Sequence, residues 1–531
     1  MWTQLMTGAA WAAVWLAVVL WWLWVTRART SAPGPATLPL LGNLMLFRKL
    51  PVLVQQLKDM HAQYGDVFRF YVGPKLFVVV TQPEDVKAVL VDCKQRQRDP
   101  YFMRPMRFFI GDGLITNKDE AWKAHRKIVL PTFHTEVLGR FMGAFNEAGR
   151  FVCERLSAAE GTELNVYPTF FQSALRTLTS TLFGVGLDQL EPDHSKQVHF
   201  ATEFYKSMKA IQRIVFRPWL QVVCMVSTAL GARWLRERKG QIHRLVARGI
   251  AYKRQHPGGD REPAKRRPLA EVLIAPHGQL LLSPQEVHDE VCTFAMAGTE
   301  TTASTLGFAL SLLGLHPEWQ DVAQKELDAV FGNGDDYLRP CTMEDLTQLT
   351  VIDSIVKETL RLFSVVPTLP HYASEDIQLA GGRYTASRGS CVLLALCLLQ
   401  RQPHLFPDPD KFDPGRFLEG GSAHSRLPYS YVPFGAGSRM CVGARFAQLE
   451  IKTVLASVLR RFHILPGSSR EELEEVACDS LRGRNPHQFL LACRSVQGNP
   501  ECVALNSGPQ QRPQQQWLAA VVCPRGAIQQ Q

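Results

Sequence analysis

The sequence predicts a mainly α-helical body with smaller β-sheets, an α+β chain led by one N-terminal transmembrane helix. Apolar residues recur with helical period through Pro317–Phe331, Met343–Phe363 and Ala444–Phe462. Val67–Val80 instead alternates as strands do and turns at Gly73-Pro74, which predicts a strand pair. Gly8–Val25 holds no charged residue, while Trp11, Trp15, Trp21, Trp22 and Trp24 crowd it.

Eighteen helical residues rise roughly 27 Å, close to the hydrocarbon thickness of a bilayer. Trp24 suits the interfacial belt, and Arg27 and Arg29 follow at once. By the positive-inside rule these arginines stay cytosolic, which places the N-terminus in the lumen and the body in the cytosol. A cleaved signal peptide is the competing reading, but no Lys or Arg precedes the apolar stretch and the stretch is too long. A buried core helix is a further alternative, although nothing polar patterns a face.

The segment Pro33-Gly34-Pro35-Ala36-Thr37-Leu38-Pro39 reads as a stiff strap between anchor and body, or else as an ordinary linker. No long low-complexity break and no internal repeat follows, so the expected division is an anchor over 1–30, a strap over 31–50, one body over 51–497 and a disordered Gln/Pro-rich tail over 498–531. Ser283-Pro284-Gln285-Glu286 is a capping box with Pro at the first helical position; it opens a long apolar helix to about Leu315. Gln255–Pro268 mixes Pro, Gly and basic residues and reads as an exposed loop.

Composition narrows the function classes. The 531 residues are 46% hydrophobic and 20% charged, ordinary for a globular protein and wrong for a collagen-like, wholly disordered or multi-span membrane chain. Twelve cysteines are too dilute for a disulfide-stapled scaffold, and a cytosolic body keeps them reduced. The net charge of +10 favours acidic partners or anionic membrane without naming either.

Cys441 stands apart, in Pro433-Phe434-Gly435-Ala436-Gly437-Ser438-Arg439-Met440-Cys441-Val442-Gly443. Gly437 and Gly443 flank it where a loop bends or a flat group approaches the backbone. Amides of such a turn, and the positive end of a helix starting past Gly443, favour a thiolate. An anionic sulfur fenced by Phe434 and Val442 suits a fifth ligand to haem iron, and Arg439 suits a haem propionate. The alternative for any single Cys is a small buried hydrophobe. Zinc at Cys441 is disfavoured, since no second Cys or His stands at ligand spacing.

The run Phe434–Gly443 fits F-x-x-G-x-R-x-C-x-G and resembles the haem-binding loop of the cytochromes P450, which implies that fold, with haem b as cofactor. Three further stretches follow the family's order. Glu358-Thr359-Leu360-Arg361 resembles the ExxR helix. Phe412-Asp413-Pro414-Gly415-Arg416-Phe417 resembles the segment whose Arg joins that pair. Trp122-Lys123-Ala124-His125-Arg126 resembles the WxxxR helix, which implies propionate contacts by Trp122 and Arg126. Glu358, Arg361 and Arg416 are then expected as one buried charge network.

Within the capped helix, Ala297 and Thr301 share a face with Gly298 one step round, leaving room for dioxygen. Thr301 and Glu300 can hold water and relay protons. The alternative is a Thr-rich core helix with internal hydroxyl bonds. Beside Cys441, the match to the family's A-G-x-[DE]-T-T implies monooxygenation rather than isomerase or dehydratase chemistry.

Gly111-Asp112-Gly113-Leu114, Phe216-Arg217-Pro218-Trp219 and Phe406-Pro407-Asp408-Pro409 are similar to family 4, a branch rich in fatty-acid ω-hydroxylases. Two positions depart from it. Ala297 replaces a Glu that can become esterified to haem, so no covalent link is expected there. His371 stands where relatives place a propionate-binding Arg, and a neutral imidazole is the weaker partner. Substrate contacts are expected from Tyr101–Ile115, the region near Ala201–Trp219, Phe294 and Ala297, and Val366–Leu369. The resemblance implies a lipophilic substrate, a fatty acid hydroxylated at or near its chain end, with sterols or xenobiotics as alternatives. No flavin fingerprint is present, so electrons are expected from a separate NADPH-cytochrome P450 reductase, with cytochrome b5 as a second donor, on the endoplasmic reticulum membrane. Nucleic acid is not expected as a partner. A haem isomerase and a non-catalytic haem or lipid-binding membrane protein are the rivals.

Overall fold

The computed structural model describes residues 11, 13–22, 30–47, 53–93, 97–158, 164–216, 233–256, 269–274, 282–332, 334–467, 469–473 and 488–493. Helices dominate. The principal ones are α1 (Leu53–Tyr64), α2 (Pro100–Ile110), α3 (Asp119–Val129), α4 (Met142–Ser157), α5 (Tyr167–Phe183), α6 (His194–Phe216), α7 (Arg233–Gln255), α8 (Pro284–Leu315), α9 (Pro317–Phe331), α10 (Met343–Gln348), α11 (Thr350–Leu362) and α12 (Ala444–Arg461).

The strands are β1 (Val67–Val72), β2 (Lys75–Val80), β3 (Gln97–Arg98), β4 (Leu164–Asn165), β5 (Thr368–Tyr372), β6 (Ile377–Leu379), β7 (Tyr384–Ala386), β8 (Cys391–Ala395), β9 (Phe462–Leu465) and β10 (Gln488–Cys493). The expected hairpin forms, with Val67 opposite Val80 and Val72 opposite Lys75. It belongs to a five-stranded sheet of order β1-β2-β8-β5-β3, in which β2 and β8 run parallel and the other pairs antiparallel. β2 and β8 are the unbroken apolar runs of this sheet and are buried on both faces, as central strands require.

Helix α8 starts as its capping box predicts. Ser283 Oγ accepts from the Glu286 N–H at 3.2 Å, and the Glu286 carboxylate accepts from the Ser283 N–H at 2.7 Å. Its low amphipathicity means burial on nearly every side, between α5, α7, α11 and α12. The main hydrophobic core lies around it, while a second core packs on the five-stranded sheet.

One expectation needs revision. Met343–Phe363 is not one helix: the chain breaks at Leu349, and Glu326 of α9 caps the restart. Its carboxylate accepts from Val351 N–H at 2.7 Å and Ile352 N–H at 3.1 Å, a long-range cap that no local pattern announces. The strap is more than a linker. Asn43 Oδ1 accepts from Tyr71 N–H at 2.8 Å and Pro33 O from Arg69 N–H at 2.7 Å, so it lies along β1. A Cβ at Gly34 would fall 2.1 Å from the Arg69 carbonyl oxygen, which explains the glycine.

The expected span, Gly8–Val25, lies partly outside the described residues. Within them, 13–22 is helical, Trp11, Trp15 and Trp21 are exposed, and Trp22 is buried against Tyr71 with ring centroids 6.4 Å apart. Among the described residues no helix is long and apolar enough to cross a membrane. Most of the Gln255–Pro268 loop and the whole tail from 498 lie outside them.

Candidate active site

The Cys441 loop is closed by its own backbone: the Cys441 N–H donates to the Phe434 carbonyl at 2.9 Å. Gly437 turns it at φ +69°, and a Cβ there would sit 2.2 Å from the Leu90 carbonyl oxygen, so only glycine fits. Gly443 is not a bend. With φ −87° it is the N-cap of α12, and its backbone amide favours the Cys441 thiolate. Burial raises the thiol above its ordinary value, while that amide, Arg98 and Arg126 act the other way. The Cys441 side chain keeps accessible surface. Phe434 is half-buried against the main core.

Arginines gather beside the sulfur. Arg439 stacks over the Trp122 ring at 4.2 Å and donates to the Asn117 carbonyl at 3.0 and 3.1 Å. Arg126 lies 5.6 Å from the same ring and donates to the Met440 carbonyl at 3.0 Å. Arg98 comes from β3, and its direct partner across the antiparallel pair is His371 of β5. Burial, then Arg98 and Arg439, push the His371 imidazole down to about 3, so it is neutral. Burial, with Arg98 next, pushes Arg439 down to about 9.

Among the described residues no salt bridge reaches Arg98, Arg126 or Arg439, and the buried Arg439 Nε has no hydrogen-bond partner. Clustered guanidiniums around a neutral imidazole call for anionic groups, since an uncompensated buried charge is costly. The sequence pointed to Trp122, Arg126, His371 and Arg439, and the structure brings them together. It missed Arg98, whose run Lys94-Gln95-Arg96-Gln97-Arg98 carries no spacing signal; only the β3–β5 register reveals it.

A second set of site residues lies on α8. In the middle of this buried helix, Ala297, Gly298, Thr301 and Ser304 keep accessible surface; they lie at i, i+1, i+4 and i+7, one face. The Thr301 hydroxyl donates to the Ala297 carbonyl at 2.8 Å, the internal bond that a Thr-rich helix makes. Gly298 serves packing, for a Cβ there would fall 2.8 Å from Leu178 Cδ1. Glu300 turns to another side, 3.7 Å from Lys209 of α6, whose ammonium lies over the Tyr167 and Tyr205 rings. Thr301 and Glu300 are thus neighbours in sequence on different faces. The apolar stretch around α2 is core: Phe102, Met103 and Phe109 are buried in the main cluster.

Behind the loop, Glu358 binds Arg361 at 2.7 and 2.8 Å, and both are fully buried. Arg416 approaches Glu358 at 3.4 Å, and the Asp413 N–H donates to the same carboxylate at 2.9 Å. Arg361 also donates to the carbonyls of Gln400, Pro409 and Lys411, pinning the segment that leads to Arg416. The expected network is present.

A cysteine on a fixed loop, arginines without a salt bridge among the described residues and an accessible helix face suit a flat, dianionic, metal-bearing group. A family model described as Cytochrome P450 matches residues 32–491, and the chain belongs to the cytochrome P450 family. Its relatives include human cytochrome P450 4V2, 32% identical over 456 residues, with 82% of this chain and 84% of the relative covered. Probable cytochrome P450 4aa1 of Drosophila melanogaster is 31% identical over 435 residues, covering 82% and 84%. Cytochrome P450 4d2 of the same fly is 29% identical over 474 residues, covering 85% and 92%. The protein is a cytochrome P450 monooxygenase of family 4 type with a haem-thiolate iron cofactor, and such enzymes draw on a redox partner. The Cys441 sulfur at the N-terminus of α12 and the arginine cluster fit that cofactor.

Proposed function

We propose that this enzyme hydroxylates a long-chain fatty acid or related lipid at or near the chain end. The observation that supports its haem chemistry best is the arginine cluster around His371 beside Cys441. Haem, when bound, supplies the oxidation of an unactivated C–H bond with dioxygen and reductant. In this reading Cys441 ligates the iron, and the Gly443 N–H stabilises its sulfur charge. Arg98, Arg126 and Arg439 take the propionates by charge-assisted bonds, with Trp122 supporting two of them. His371 contributes shape and a neutral hydrogen-bonding edge. Gly437 and Phe434 hold the loop.

Thr301 has its own proton engaged with Ala297 and therefore presents lone pairs to the accessible face, where it orients water or a protonated donor. Glu300, held beside Lys209, connects that face to solvent-side protons through a rotamer change. Similarity to family 4 supports the lipid substrate, and the half-buried Met106 and Phe108 of α2 are its candidate contacts. Electrons come from an NADPH-cytochrome P450 reductase, with cytochrome b5 as an auxiliary donor. The apolar N-terminal residues and Arg27 and Arg29 support a single-pass anchor in the endoplasmic reticulum membrane with a cytosolic body.

Turnover of a panel of fatty acids, sterols and xenobiotics, with and without reductase, tests the proposal. Reductase-dependent terminal hydroxylation of fatty acids supports it. Turnover confined to sterols or xenobiotics overturns the substrate class, and reductase-independent isomerisation overturns the reaction.

A further inference from the structure

Helix α8 carries two residues that the haem chemistry does not use. His288 and Cys292 stand four apart and share a face. His288 is half-buried and Cys292 buried. His243 of α7 reaches the same point: its Nδ1 lies 2.6 Å from His288 Nε2 and 3.9 Å from Cys292 Sγ. The imidazoles stack with centroids 4.8 Å apart, and one ligating atom from each of the three residues lies within 4.8 Å of the others.

The protons can be placed. His243 Nε2 is 2.8 Å from the Phe109 carbonyl of α2, which only accepts, so Nε2 carries the hydrogen. Nδ1 then turns its lone pair toward His288 and Cys292. An imidazole oriented by a carbonyl on its far nitrogen is the arrangement found behind metal-ligating histidines. The buried Asp289 carboxylate adds negative charge nearby, against the positive Lys239.

We propose that His243, His288 and Cys292 form a zinc site outside the haem pocket, with three protein ligands and a fourth position for water. Tetrahedral zinc with bonds of about 2.0 Å to nitrogen and 2.3 Å to sulfur asks for separations of roughly 3.3 Å between nitrogens and 3.6 Å from nitrogen to sulfur. Cys292 Sγ is 3.9 Å from His243 Nδ1, close to that distance, and small rotations of the two imidazoles open the nitrogen pair and bring His288 toward the sulfur. On binding, Zn²⁺ replaces the Cys292 thiol proton, which leaves to solvent; His288 shifts its own proton to Nδ1 and frees Nε2. No redox change occurs. The half-exposed imidazoles give the cation a route in. The site ties α7 to α8 and, through the Phe109 carbonyl, to α2, so zinc would clamp three elements together. The rival arrangement is a shared imidazole–imidazole hydrogen bond with Cys292 packed beside it.

Tag-free holoenzyme, stripped with chelator and dialysed, is titrated with Zn²⁺ against a chromophoric competitor, with zinc and haem iron counted by elemental analysis. One tightly held zinc per chain is expected. His288→Gln and Cys292→Ser should each weaken it by about a hundredfold or more, since even outer-shell partners are worth ten- to a hundredfold. Both variants should keep the wild-type haem spectrum, which reports folding independently. Zinc should raise the thermal midpoint of the wild type and leave the variants unmoved. Absence of zinc in the wild type overturns the site, and so does equal zinc uptake by wild type and variants.

Discussion

Arg98 and His371 are direct partners across the antiparallel β3–β5 pair, and the guanidinium supplies the charge that the imidazole lacks. The sequence drew attention to His371 as a weak stand-in for arginine. The strand register sets the Arg98 guanidinium on the neighbouring strand beside it. Arg98→Ala should therefore release haem faster than His371→Ala. A charge-assisted hydrogen bond is worth about 1.5–3 kcal/mol, so a roughly ten- to hundredfold faster transfer of haem to an acceptor apoprotein is expected. His371 protonates only near pH 3. Haem retention between pH 5 and 8 should accordingly show no step from this residue, and a step abolished by His371→Gln would contradict the assignment.

Glu358 is the acceptor on which Arg361, Arg416 and the Asp413 N–H converge. Removing it leaves buried guanidiniums uncompensated, a loss of about 3–5 kcal/mol. Glu358→Ala should yield little haem-loaded protein and a lowered thermal midpoint. Purification with full haem and a normal spectrum would show that the network is dispensable.

Glu450 of α12 is buried, with the Thr302 hydroxyl at 3.5 Å and Thr177 as its partners among the described residues, and burial raises its carboxyl from 4.5 to about 8. The folded state keeps this proton while the unfolded chain loses it near pH 4.5, so between those values the unfolded state binds fewer protons. Stability consequently falls as pH rises from about 4.5 to 8, by about 4 kcal/mol at the upper end at ~1.4 kcal/mol per pKa unit. Glu450→Gln should flatten that slope and stabilise the protein at pH 8. Denaturant unfolding across this range checks it, and an unchanged slope would contradict it.

Thr301 donates to Ala297 and keeps its acceptor lone pairs on the accessible face of α8. Thr301→Ala should preserve NADPH consumption while product per NADPH falls several-fold and hydrogen peroxide rises. Thr301→Ser should restore coupling. Unaltered coupling in the alanine variant would assign Thr301 to packing alone.

Local chemistry made part of this legible. The capping box at Ser283, the hairpin at Gly73 and the Cys441 loop announce themselves because each depends on neighbours within a few residues. Met343–Phe363 misled, since the Glu326 cap that divides it comes from another helix. Arg98 was invisible for the same reason: its meaning lies in a strand partner far along the chain. Cys292 was passed over as an ordinary cysteine although His288 stands four residues before it, a spacing that signals a shared helix face; the third member, His243, needed the packing of α7 on α8. Burial also cannot be read from composition, and it is burial that makes Glu450 unusual.

The central claim is that Cys441 holds the iron. The ferrous carbon-monoxide spectrum of the wild type should show the red-shifted Soret band of thiolate ligation, and Cys441→Ala should abolish that band while Cys292→Ala retains it. Persistence of the band in Cys441→Ala would contradict the account.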